Sequence, residues 1–339
     1  MNPIKLSVLD LCPIPAGSNS TQALQNTLDL ARLTEKLGYT RYWLAEHHNF
    51  PGLASSAPEI MIGQVANVTK QMRVGSGGIM LPNHSALKVA ETFRLLEALY
   101  PGRIDLGLGR APGTDALTAL ALRRSRDAVT ADDFPEQLGD LLCFFGNAFP
   151  DHHAYRRISA IPIDASTPEI WLLSSSGATA QLAAQLGLGY AFAHHINAQP
   201  AVEAMRLYRE NYQGTAAALE PRSMLGVMVI AAETDERAEE LAAPVDLMRL
   251  RMQKGAKPVY PSLEEARNYA YTPLDSQIVK TNRERMFVGS VKKVHAQLMD
   301  LAEKAGADEI MVLTITHDPQ DRRKSYELLA EAFGLKTRP

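Results

Sequence analysis

RVGSGGIMLPNHSALKVAETFRLLEALYPGRIDLGLG, residues Arg73 to Gly109, decides how the rest of the chain is read. Its two ends, Arg73 to Ile79 and Arg103 to Gly109, are short apolar runs of strand length. Between them Ala86 to Tyr100 repeats apolar residues at helical spacing, and Pro101-Gly102 supplies a turn. Strand, helix, strand in that order is a βαβ unit with two parallel strands. The same alternation extends both ways. Strands are expected at Ile4 to Leu9, Arg41 to Ala45, Glu169 to Leu173, Tyr190 to Ala193, Leu225 to Ala231 and Glu309 to Ile315. Helices are expected at Ser20 to Leu37, Pro58 to Lys70, Ala131 to Phe145, Ala178 to Leu186, Pro200 to Tyr212, Asp235 to Met252, Ser290 to Ala305 and Asp318 to Phe333. Ser20 reads as an N-cap, and Gly38 and Gly306 as residues that end helices.

Eight strand-helix repeats predict an α/β fold of the (β/α)8 TIM-barrel type, one domain over residues 1–339. Two stretches exceed ordinary connections: an insertion after strand 4, about 111–167, and one before strand 8, about 254–285. The second is rich in Pro, Tyr and charge, and reads equally as a lid or as a passive excursion. A doubly wound sheet is the competing architecture, but Gly107-Leu108-Gly109-Arg110-Ala111-Pro112-Gly113 has the wrong spacing for a dinucleotide-binding glycine fingerprint.

Composition narrows the class of function. Of 339 residues 46% are hydrophobic and 22% charged, which is ordinary globular usage. Thirty-five basic against 38 acidic residues leave a net charge of −3, so nucleic acid is not expected as a partner. Cys12 and Cys143 lie far apart with no metal-ligand spacing. No apolar run suggests a secretory signal or a membrane span, and a cytoplasmic protein with no membrane partner is expected.

In such a barrel, chemistry sits where strands end. Of nine histidines, six follow a strand: His47 and His48, His84, His194 and His195, and His317. Each taken alone reads as a structural histidine; together they point to one face. Alternation of side chains forbids both members of either adjacent pair from pointing inward. After the fifth strand, Ser174-Ser175-Ser176-Gly177-Ala178-Thr179 offers hydroxyls and backbone N–H groups to an anion such as phosphate, with Arg110 one strand away. An ordinary strand-to-helix turn explains the same residues equally well. In Gly75 to His84, the glycines either relieve crowding or let a flat ligand approach the backbone, and Met80 is either core or a seat for a ring.

Three motifs, Ala45-Glu46-His47-His48, Gly75 to His84 and Tyr100 to Arg110, resemble the bacterial luciferase-like, flavin-dependent monooxygenases in order and spacing. Ser175-Ser176 with Thr179, Ala183 to Gly187, and Phe287-Val288-Gly289-Ser290, the last as the lead-in to the penultimate helix, extend the resemblance over nearly the whole chain. It implies a barrel that binds FMN, usually reduced, and reacts it with O2 through a peroxyflavin to oxidise a small, apolar organic substrate. By that resemblance Arg110, Ser175, Ser176 and Thr179 hold the phosphate, His47 is the catalytic histidine, and Gly77, Gly78, Met80 and His194 lie at the flavin. Gly77-Gly78 falls where the family has a non-proline cis peptide. His194 replaces the tryptophan and Gly109 the reactive cysteine of luciferase proper, which argues against light emission. A separate NAD(P)H-flavin reductase and a homodimer, built on the helices at Pro58 to Lys70 and Ala86 to Tyr100, are the implied partners. The alternatives are a deazaflavin-dependent oxidoreductase of the same fold, a flavin-binding relative without activity, and a metal-dependent barrel hydrolase. The hydrolase draws on His317-Asp318, but adjacent His pairs do not suit two inward metal ligands, and no metal is expected.

Overall fold

The computed structural model describes residues 4–215 and 218–338. In chain order the elements are β1 (Lys5–Asp10), α1 (Ser20–Lys36), β2 (Arg41–Leu44), α2 (Pro58–Val68), β3 (Arg73–Met80), α3 (Ala86–Leu99), β4 (Ile104–Gly109), α4 (Ala116–Arg123), α5 (Arg126–Thr130), α6 (Phe134–Gly146) and β5 (Glu169–Ser174). There follow α7 (Ala180–Gln185), β6 (Gly189–Ala193), α8 (Ala201–Glu210), β7 (Ser223–Ala232), α9 (Asp235–Gln253), α10 (Leu263–Asn268), α11 (Pro273–Arg283), β8 (Met286–Ser290), α12 (Val291–Ala305), β9 (Glu309–Leu313) and α13 (Pro319–Ala332).

Eight parallel strands, β1 to β7 and β9, close into a barrel through the β1–β9 pairing. The expected TIM barrel is therefore present. Alternation sorts the strand residues into two cores. Leu9, Trp43, Trp171, Met224, Met228 and Met311 pack inside the barrel, while Val8, Leu44, Leu172, Phe192, Val227 and Val312 pack outward against the helices.

One expectation is corrected. Met286–Ser290, read as no more than the lead-in to a helix, is a ninth strand. Met228 pairs with both Met286 and Leu313, so β8 lies on the opposite edge of β7 from β9, on the edge where β6 pairs with Ser223 to Gly226. The ten residues of β7 outrun β6, and β8 covers the edge that would otherwise be open. A second correction is local: Asn19, with extended backbone, caps α1 by accepting from the Gln22 N–H, and Ser20 is already helical. The insertion after β4 holds α4 and α5, which sequence periodicity did not reveal, and α6 begins at Phe134.

The N-terminal end of the barrel is plugged by charge. Arg41 reaches Glu309 (3.0 Å), Asp105 (3.0 Å) and Glu169 (3.3 Å), Arg73 reaches Asp105, and Arg222 reaches Glu169 (2.9 Å). Three guanidiniums and three carboxylates balance, and Trp43 Nε1 adds a bond to Asp105. The open space lies at the other end of the strands.

Candidate active site

The C-terminal mouth of the barrel opens into a cavity of about 660 Å3, a size typical of small-molecule sites. Contributions come from the ends of β1 to β7 and β9, from the C-terminal part of α9, and from Tyr260, Asn282 and Arg285 of the insertion before β9. That insertion is not a loose excursion. Leu247, Leu250 and Ala266 pack together with Ile278 against them, and ion pairs Arg251–Glu265 (2.7 Å) and Lys254–Asp275 (2.6 Å) hold it to α9.

Seven of the nine expected site residues share this wall: His47, Gly77, Met80, Arg110, Ser175, Ser176 and Thr179. Gly78 and His194 do not. β3 carries a bulge opposite β4: Gly77 pairs with Gly107 and Ile79 with Leu108, leaving Gly78 unmatched. The extra residue changes the phase of the strand, so that Gly77 and Met80, three apart, both face the cavity. A side chain at Gly78 would instead meet the Gly107 carbonyl and Leu173, whereas one at Gly77 would meet Leu9 and Trp43 inside the barrel. The Gly77–Gly78 peptide is cis, as the resemblance implied.

His194 is corrected by its neighbour. It is buried and stacks on Phe287, with ring centroids 5.4 Å apart, while His195 stands in the cavity wall with Nδ1 2.9 Å from the Gly226 carbonyl. Burial pushes the His195 pKa down to about 4. Ala191 and Ala193 lie in phase along β6, and His195, in the turn just past its end, joins them on the cavity wall; the two small residues were the sequence signal that this face lines open space.

His47 occupies the position expected of it. Its ring lies edge-on to Phe50 at 6.0 Å, and Nδ1 is buried without a hydrogen-bond partner among the described residues. Burial outweighs the attraction of Glu46 and lowers the His47 pKa to about 4, so the imidazole is neutral near pH 7.

Glu46, quoted in a motif but assigned no role, is the hub of the site. Its buried carboxylate lies 2.9 Å from His48 Nε2, 3.0 Å from His84 Nε2 and 2.8 Å from the Met80 N–H. Burial opposes the charge, but His84 and the Met80 N–H outweigh it and hold the carboxyl below its usual range. The bond to Glu46 in turn raises the pKa of His84. Glu46 thus ties the end of β2 to the bulged end of β3. Asn83 Nδ2 extends the lacing to the Pro112 carbonyl, and Thr114 Oγ1 to that of His48.

The remaining strand-end histidine and its neighbour are engaged elsewhere: His317 Nε2 lies 3.2 Å from the Ala16 carbonyl, and Asp318 caps α13. Among the described residues no group of three or more His, Cys, Asp or Glu is arranged to hold a metal ion.

The anion wall is open. Ser174 Oγ accepts the N–H groups of Ser176 (3.2 Å) and Gly177 (3.0 Å) and so shapes the turn, while the Ser175 and Ser176 hydroxyls make no bond within the described chain. Arg110, half exposed, has only a 3.9 Å contact to Asp132. Two further arginines on the wall, Arg249 and Arg285, were missed. Val245, Met248, Arg249 and Met252 fall at i, i+3, i+4 and i+7, so a cation interrupting an apolar helical stripe was the available signal. Among the described residues of the wall, Glu46 is the single carboxylate against three arginines, a balance that favours anionic ligands.

Comparison with known proteins agrees with this geometry. The family model described as luciferase-like monooxygenase matches residues 4–309. A luciferase-like monooxygenase of Escherichia coli (strain K12) is 42% identical, with 96% of each chain covered. An N-acetyl-S-alkylcysteine monooxygenase of Bacillus subtilis (strain 168) is 35% identical over 97% of this chain and 98% of its own. The crystal structure of apo-MsnO8 superposes with a TM-score of 0.88 at 39% identity, covering 99% of both chains. The chain belongs to the luciferase-like monooxygenase family.

Proposed function

We propose that the chain is an FMN-dependent monooxygenase that takes reduced FMN and O2 and oxidises a small, largely apolar organic molecule. The observation that carries this reading is a single cavity in which the Ser175 and Ser176 hydroxyls make no bond to the described residues, Arg110 has only a 3.9 Å contact to Asp132 and Thr179 only a long bond to the Leu173 carbonyl (3.5 Å), together with the bare backbone of Gly77 and the Nδ1 of His47, unpartnered among the described residues. These residues fit the group. Guanidinium and hydroxyls suit a phosphate tail, and a glycine with no side chain lets a flat ring lie against the strand.

When bound, reduced FMN supplies the two electrons that activate O2, one oxygen atom entering the substrate and the other leaving as water. The chain does the rest. Arg110 and the hydroxyls anchor, Met80 packs at the ring, and Glu46 fixes Met80 through its N–H. His47, neutral because it is buried, takes or returns a proton at Nδ1. The methionine-rich inner wall excludes water. His195, which lines the cavity where His194 does not, would lie at the flavin in place of His194. A substrate such as the N-acetyl-S-alkylcysteine of the Bacillus relative, apolar at one end and anionic at the other, suits this cavity.

The same reading supplies reduced FMN from a separate reductase. It also places the protein in the cytoplasm; no helix among the described residues is long and apolar enough to cross a membrane. For the homodimer, exposed Ile60 on α2 with Leu95 and Leu99 on α3 form the candidate face. The deciding experiment is anaerobic titration with reduced FMN, and in parallel with the reduced deazaflavin, followed by admission of oxygen. Saturable FMN binding and substrate-dependent O2 uptake are expected. Binding of the deazaflavin alone would overturn the assignment.

A further inference from the structure

Several of the charges around α9 are matched in ion pairs. Arg251 meets Glu265, Lys254 meets Asp275, and Arg283 meets both Asp246 (2.7 Å) and Glu239 (3.0 Å). Arg249 and Arg285 meet no carboxylate among the described residues, and both line the cavity. Arg285 is held in position, Nη1 donating to the Ile196 carbonyl at 3.0 Å and Nη2 to Asn282 Oδ1 at 2.6 Å. Arg249 is not satisfied. Nη2 points at the weakly accepting sulfur of Met228 (3.0 Å), and Nη1 is buried with no hydrogen-bond partner among the described residues. Burial, reinforced by the charge of Arg285, lowers the Arg249 pKa, which marks the guanidinium as short of a counter-charge. A largely enclosed guanidinium without a paired anion is costly, and among the described residues no carboxylate lies within ion-pair distance of it, Asp246 acting only from farther away.

We propose that Arg249 and Arg285 form a second anion subsite, distinct from the Arg110 and serine wall, that receives the carboxylate of an amphiphilic organic acid. Its apolar part lies along Met228, Met248 and Met252, which line the same cavity, Met228 with its sulfur against the guanidinium. A planar guanidinium matches a carboxylate in two parallel hydrogen bonds, and a single negative charge suffices for the one unpartnered group. This inference narrows the substrate class of the proposed function and rests on it in one respect: the FMN phosphate takes the Arg110 wall, leaving Arg249 free.

The test uses octanoate and octan-1-ol as matched probes, titrated calorimetrically into the full chain with and without FMN. Octanoate is expected to bind about 10-fold or more tightly than octan-1-ol. Arg249→Met should erase that preference while octan-1-ol still binds and FMN affinity changes by less than about threefold; Arg249→Lys, which retains the charge, should keep part of it. Retained octan-1-ol and FMN binding show that the variant is folded. Equal affinity for the two probes in the wild type, a preference surviving in Arg249→Met, or displacement of octanoate by inorganic phosphate would each overturn the proposal. So would loss of FMN affinity in Arg249→Met, which would hand this arginine to the phosphate. If the wild type binds no FMN yet prefers octanoate through Arg249, the FMN assignment fails and the subsite stands.

Discussion

Replacing Glu46 by Gln removes one negative charge at the junction of β2 and β3 and leaves the shape almost unchanged. Glu46 accepts from the Met80 N–H at 2.8 Å and lies 2.9 Å from His48 and 3.0 Å from His84. A glutamine retains one acceptor, enough for Met80, and loses the charged partner of His84. Hydrogen bonds to charged groups contribute roughly 1.5–3 kcal/mol each, so the variant should lose about 3 kcal/mol. The sign of the pH dependence follows from both partners. His84, whose pKa is raised from 6.5, contributes stability that is full below 6.5 and is lost as pH rises through its higher folded value. Glu46, whose pKa is lowered from 4.5, contributes stability that is full above 4.5 and is lost as pH falls through its lower folded value. The difference between wild type and variant is therefore greatest between those two ordinary values. Urea unfolding at about pH 6 should show the full loss as a lower midpoint with the same slope, shrinking to about 1 kcal/mol near pH 9. A difference under about 0.5 kcal/mol near pH 6, or one equal at both pH values, would refute the coupling of Glu46 to His84.

Four further outcomes are expected. His47→Gln should lower turnover by roughly 10²- to 10⁴-fold with FMN affinity within about threefold of wild type, measured by flavin fluorescence and oxygen uptake. In the wild type the acid limb of the rate profile should fall near pH 4, not near 6.5, because burial keeps His47 neutral. Arg110→Ala should weaken FMN by about 10- to 100-fold while leaving riboflavin, which has no phosphate, nearly unaffected; equal weakening of both would remove Arg110 from the phosphate. By light scattering the wild type should have the mass of a dimer and Leu95→Asp combined with Leu99→Asp that of a monomer; a monomeric wild type would refute the proposed homodimer, and a dimeric variant would refute this face as its interface.

Much of this protein was legible as a string of residues because the relevant physics is local or periodic. Alternating strand and helix periods determined the barrel, since a parallel strand needs a crossover before the next. Strand-end position and side-chain chemistry singled out Arg110, Ser175, Ser176, Thr179 and His47, all of which the fold brings to one cavity. What the tertiary structure decided is phase and partnership. Period two says that His194 and His195 face opposite ways but not which faces in; that depended on where β6 sits between β5 and β7. The bulge at Gly78 became visible only once β3 was matched residue by residue to β4, and it alone puts Gly77 and Met80 on one face. β8 is a strand because β7 outruns β6 and exposes an edge to pair with. Glu46 with His84, and Arg249 without an ion pair among the described residues, are facts about which groups folding brings together and which it keeps apart. Charges acquire their meaning from neighbours, and neighbours across 38 positions of chain, as for Glu46 and His84, exist only after folding.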